Sequence, residues 1–177
     1  MELIGELPEA ERKVLLDAKA LLAELSRVGS CDPQTAEKAV GVLSRLRELV
    51  YEDLNQIQHE YMILDAVRYL VDNSIVPANT LWQWNPRQTG GADEPDLEGK
   101  VGESVLVSAE VTTSRKPEGT IKDRMRNTLR KLQRDQIRGQ KYYFVRTAAM
   151  ERKARSIVER EGATITIVRL NHATVEL

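Results

Sequence analysis

Asp96 and Glu110 are the residues of this chain whose types and surroundings point most directly to chemistry. Pro95-Asp96-Leu97-Glu98-Gly99 leads through a turn-rich piece into Val105-Leu106-Val107-Ser108-Ala109-Glu110-Val111-Thr112. Asp96 opens one extended segment, and Glu110 stands inside the next between apolar neighbours. An ionised carboxylate in an apolar strand is costly unless it is paired or binds a cation. Two of them on neighbouring strands would offer the hard oxygen donors that suit magnesium. A third acid, Glu60, falls on the helical stripe Ile57, Leu64, Val67, Val71. It either edges that stripe with its head in water or aims into a site. Gln58 and His59 lie beside it.

The elements that must position these acids follow from periodicity. Pro8 suits a first helical turn, and Val14, Leu15, Ala18, Leu21, Leu22 and Leu25 recur at helical spacing until Gly29-Ser30. Asp32-Pro33 predicts the cap of a second helix, with Ala36, Ala39, Val40, Leu43, Leu46, Leu49 and Val50 as its apolar set. The two read as an antiparallel helical hairpin over residues 1–51, for packing or dimerisation. A third helix is predicted from about Glu52 to Asp72. Asn79–Asn85 alternates as a strand, with Trp82 and Trp84 on one side, either in the core or offered for base stacking. Pro86–Pro95, with Gly90-Gly91, reads as a loop that closes over a substrate or merely connects. The Asp96 segment and Ser104–Thr113 form an expected hairpin. Thr120 to about Gln136 is a basic helix with Ile121, Met125, Leu129, Leu132 and Ile137 inward. Lys141–Arg146, Thr147–Glu161 and Ala163–Leu170 read as strand, helix and strand, with Gly162 as the cap, and so as a parallel βαβ unit.

Composition narrows the classes. A chain of 177 residues with 41% apolar content has enough to bury a core. No apolar run is long enough to span a bilayer. The start, with Glu2, Glu6, Glu9 and Glu11, does not look like a secretory signal. Cys31 is the sole cysteine, so an intrachain disulfide is impossible and a cytoplasmic location is expected. One Cys with His59 and His172 argues against a thiolate–imidazole zinc site. The net charge of −1 conceals an asymmetry. Residues 115–141 hold ten Lys or Arg against three acids, while the first 60 hold twelve acids against seven bases. Such a split points to a polyanion-binding surface.

From residue 52 onward the expected order is α-β-β-β-α-β, with a further helix before the last strand. The acids fall on the helix (Glu60), at the start of the second strand (Pro95-Asp96) and inside the third (Glu110-Val111-Thr112). This resembles the PD-(D/E)XK phosphodiesterase superfamily over roughly residues 52–170. The resemblance implies an α/β fold: a restriction-endonuclease-like core with a mixed central sheet over 52–177, preceded by the N-terminal hairpin. It implies a magnesium site, with manganese able to substitute, held by Asp96, Glu110, the Val111 carbonyl and Glu60. The family's lysine would stand at position 112, where this chain has Thr112, which can hydrogen-bond a water but carries no charge. Lys116 and Lys122 are the candidates to supply the missing charge, or else they contact phosphate.

The function expected is magnesium-dependent endonuclease action on DNA by metal-activated water. Arg115, Lys116, Lys122, Arg124, Arg126 and Arg130 would hold the backbone, and a homodimer would serve if both strands are cut. The alternatives are an inactive nuclease-fold module that binds nucleic acid, favoured by Thr112, and a scaffold in which the hairpin mediates assembly.

Overall fold

A computed structural model describes residues 1–85 and 94–170. The loop predicted at Pro86–Pro95 therefore lies largely outside the described residues, as does His172. The remaining elements form an α/β fold around a six-stranded mixed sheet in the order β1-β2-β3-β4-β5-β6. The strands are β1 (Glu2–Leu3), β2 (Leu81–Trp84), β3 (Leu97–Val101), β4 (Ser104–Thr112), β5 (Gln140–Val145) and β6 (Thr166–Arg169). The helices are α1 (Leu7–Gly29), α2 (Ala36–Glu48), α3 (Asn55–Asp72), α4 (Thr120–Leu132) and α5 (Ala148–Glu161). Strands β1 to β4 pair antiparallel, and β4, β5 and β6 pair parallel. The change of direction falls at β4, because β3 and β4 are joined by a tight turn at Gly102, whereas α4 and α5 carry the chain back between parallel strands.

Alternation along β4 divides the core into two layers. Val107, Ala109 and Val111 join Met62, Ile63, Leu64, Val67 and Leu70 of α3 and Ala10 and Val14 of α1. The opposite face of the sheet presents Tyr143, Val145 and Ile167 to Met125, Leu129 and Leu132 of α4 and Met150, Ala154 and Ile157 of α5. Side chains alternate along a strand. Ser108, Glu110 and Thr112 thus share the α4 side, which fixes the direction in which Glu110 points.

The hairpin of α1 and α2 has a small cluster of its own, Leu21, Val28 and Leu49, while the first turns of α1 belong to the main core. A π-helical turn, Leu49–Leu54, links α2 to α3, so the third helix begins three residues later than its sequence predicts. The cap of α2 is Thr35, whose hydroxyl accepts from the Lys38 amide, and not Asp32, whose carboxylate accepts from Gln34. Helix α4 stops at Leu132, short of Gln136, and a turn leads to Gly139. At Gly139 φ is +74°, and a Cβ would lie 2.6 Å from the Leu106 carbonyl carbon. That contact leaves room only for glycine where β5 enters beside β4. Strand β1 has no counterpart in the predicted elements: two residues are too few to show a period. No helix among the described residues is long and apolar enough to cross a membrane.

Candidate active site

The β3–β4 register brings the two acids together. Leu97 pairs with Ala109 and Glu98 with Ser108, so Asp96 and Glu110 occupy the next opposing positions. Leu97 is in the α3-side core, which places Asp96 and Glu110 together on the other face. Both are buried, at 1% and 3% exposure, and close enough for the Asp96 carboxyl to act on the ionisation of Glu110. Pro95 has no amide to continue the ladder. The Val111 amide, opposite it, donates instead to Asp96 Oδ2 at 2.9 Å. His59 Nε2 lies 3.3 Å from the same oxygen. Asp96 is thereby fixed by one strand amide and one helix side chain.

Glu110 is charged reluctantly. Burial pushes its carboxyl up from 4.5 to about 8, the nearby Asp96 charge adds to the rise, and the Lys131 ammonium opposes it. Lys131 reaches in from the last turn of α4 and forms an ion pair with Glu110 Oε1, while also donating to the Glu94 carbonyl at 2.9 Å. Oε1 is sealed from solvent and, among the described residues, receives no well-directed hydrogen bond, so the Lys131 contact compensates it. On the neighbouring strand Tyr143 pairs with Glu110 in register, and its phenol and Thr112 both line the cleft. Burial raises the Tyr143 phenol, so it stays protonated as a donor.

A cleft of about 1000 Å³ opens beside this cluster between the start of α3 and the outer face of α4. Glu110, Val111, Thr112, His59, Tyr143 and Arg124 are among its walls. The Glu110 carboxylate, a main-chain strand edge, hydroxyls and a guanidinium thus converge on one concave surface, the usual form of a ligand site, with Asp96 buried behind Glu110.

The structure sorts the residues singled out by sequence. Asp96, Glu110, Val111 and Thr112 are together. Glu60 is buried as its stripe position predicts, yet its oxygens are taken by Lys13 Nζ at 2.8 Å and Gln56 Nε2 at 3.1 Å. Its charge is not among those acting on Glu110. Lys116 is exposed and Lys122 half-buried, and neither lines the cleft or pairs with Asp96 or Glu110. The lysine that reaches Glu110 is Lys131, which sequence reading counts only among the basic run. The available signal was helical spacing: Arg124, Thr128 and Lys131 share one face of α4. Arg126 and Arg130, on an adjoining face, turn instead to Glu161 of α5. Arg115, exposed after β4, and Arg124, on the cleft wall, form no ion pair among the described residues.

The donor set can be tested against magnesium. Two carboxylates and a strand carbonyl are hard oxygen donors, and magnesium commonly uses one or two carboxylates and keeps several waters. The buried Glu110 Oε1, which has an ion pair but no directed hydrogen bond, suits a cation. Among the described residues no group of three or more His, Cys, Asp or Glu is arranged to hold a metal, so the fit is to a two-carboxylate site without Glu60. No family model, curated protein or solved structure matches the chain.

Proposed function

We propose that the chain is a magnesium-dependent endonuclease with a restriction-endonuclease-like core, acting on DNA. The observation that carries this reading is the buried Asp96–Glu110 pair, of which Glu110 reaches the cleft wall and has an ammonium against it. Buried carboxylates crowded so closely raise a pKa, and groups perturbed in this way cluster at functional sites. Asp96, Glu110 and the Val111 carbonyl would hold the ion, with manganese able to replace magnesium. When bound, magnesium supplies polarisation of the scissile phosphate and a lowered pKa for water. His59 and the Val111 amide keep Asp96 in place. Lys131 takes the part expected of a lysine at position 112: its ammonium stands beside Glu110, where it can orient a water and offset charge on phosphoryl oxygens. Thr112 and Tyr143 contribute hydroxyl groups on the same wall. Arg115, Lys116, Lys122 and Arg124 are the cations left to meet the phosphate backbone, and such contacts give affinity and salt dependence.

Exposed Leu15 and Leu22 on α1 and Val40 and Leu43 on α2 support the homodimer reading of the hairpin. A second functional reading has its own support. Lys131 already neutralises Glu110, as it would in a module that binds nucleic acid without cutting it. Cleavage of supercoiled plasmid in magnesium and in manganese separates the two. Metal-dependent nicking lost in Asp96→Ala, Glu110→Ala and Lys131→Ala establishes the nuclease. Salt-sensitive DNA binding without nicking establishes the module.

A further inference from the structure

Two arginines stand at the carboxyl ends of the parallel strands with no carboxylate to answer them. Arg146 directly follows β5. Arg115 follows β4 by three residues, and the Thr112↔Val145 pair sets those strand ends side by side. Thr147 binds the two segments together: its hydroxyl donates to the Arg115 carbonyl at 2.8 Å and accepts from the Met150 amide at 3.2 Å. The Arg115 main chain is therefore tied to the first turn of α5. Arg146 is half-buried, and its Nη1 donates to Gln58 Oε1 at 3.4 Å, a neutral partner. Among the described residues neither guanidinium forms an ion pair. Burial and the neighbouring Arg115 charge both push the Arg146 pKa down, so two like charges are held close without a counter-ion. Several other arginines are answered: Arg27, Arg68, Arg130 and Arg155 each have a glutamate, whereas Arg124 on the cleft wall, like Arg115 and Arg146, has none among the described residues.

The placement relates the pair to the carboxylates. Gln58 and His59 are consecutive on α3; the first reaches Arg146 and the second Asp96. The carboxyl ends of parallel strands are also where open α/β sheets bind ligands. A guanidinium's planar fork matches phosphate oxygens, and two forks on one phosphate explain why both lack carboxylates.

We propose that Arg115 and Arg146 together clamp one phosphate of the bound DNA strand, other than the phosphate being cut, and that Gln58 positions Arg146 for it. This rests on the nuclease-fold reading for its ligand but not on turnover.

The test is the salt dependence of binding to a labelled DNA duplex, followed by fluorescence anisotropy in chelator so that no cleavage intervenes. Each phosphate neutralised contributes about −0.9 to the slope of log K against log salt. Arg115→Ala and Arg146→Ala are each expected to weaken binding several-fold with the slope nearly kept, because the remaining guanidinium still neutralises the shared phosphate, and the double variant to lower the slope's magnitude by about 0.9. Arg146→Lys retains the charge and the wild-type slope but loses the fork, so its affinity falls several-fold; it also guards against misfolding of the alanine variant. A slope loss of about 0.9 in each single variant that adds in the double variant, an unchanged slope in the double variant, or absence of DNA binding by the wild type would overturn the clamp. Plasmid nicking is scored separately. If nicking is absent while the slopes change as expected, the hydrolase reading fails and the clamp stands.

Discussion

Glu110→Gln is expected to stabilise the protein at alkaline pH. In the native state the Glu110 carboxyl is held up at about 8 against an ordinary value of 4.5. The native protein therefore binds this proton more tightly than the unfolded chain does between those two values. Stability contributed by the protonated form is complete below about pH 4.5, declines as pH rises, and is lost once pH passes about 8. Each tenfold displacement in proton affinity is worth 1.36 kcal/mol, so the full effect is on the order of 5 kcal/mol. Glutamine keeps the shape and hydrogen-bonding capacity but has no charge to desolvate, so its stability should be nearly flat over that window. The variant deprives Lys131 of its ion pair, as protonation of Glu110 does, so that loss is already inside the effect, and Lys131 retains the Glu94 carbonyl. The gain near pH 8.5 is then a few kcal/mol, on the order of 10 °C in Tm for a chain of this size. Urea unfolding of both proteins at half-unit intervals from pH 5 to 9 measures the difference directly. If wild-type stability rose or stayed level across that range, or if Glu110→Gln kept the wild-type slope, the buried charge would not be what the geometry implies.

Other substitutions test other parts of the argument. Magnesium at millimolar concentration should reduce the alkaline loss of wild-type stability and leave Glu110→Gln unmoved, as read by thermal unfolding. Lys13→Ala should cost about 1–3 kcal/mol, because it leaves the buried Glu60 carboxylate with Gln56 alone, and urea midpoints will show it. Gly139→Ala should be worse than Gly99→Ala. The first combines a positive φ with backbone contacts that cannot yield, while the second meets the Trp82, Thr80 and Val107 side chains and should cost about 1–3 kcal/mol. Leu22→Glu with Leu43→Glu should leave folding intact and convert any dimer to monomer in sedimentation.

Much of this was legible in the sequence because it depends on local period. The order of elements from α3 to β6 followed from the change between helical and alternating patterns, and the βαβ unit followed from the Gly162 cap. The Asp96–Glu110 pairing was legible too, since one tight hairpin turn fixes its register. What stayed hidden depends on contacts distant in sequence. Lys131 lies 21 residues beyond Glu110, and only the docking of α4 decides which of ten basic residues turns inward. Lys13 meets Glu60 across 47 residues, so the helical stripe could place Glu60 in the core but could not name its partner. Arg126 and Arg130 looked like phosphate ligands within a basic run, but their counter-charge, Glu161, arrives two elements later.

The position of α4 over Glu110 has a consequence for motion. Bringing Asp96 and Glu110 together in an open hairpin, with water around them, costs only about 1 kcal/mol of repulsion. Burial is the largest contribution to the penalty on Glu110, and burial on that face requires α4. The helix that delivers the neutralising ammonium is thus also the one that drives out the solvent. As pH climbs past 8, the state in which α4 lifts away gains on the closed state ahead of global unfolding. Amide exchange should register this as a loss of protection along Thr120–Leu132 that the α3 amides do not share.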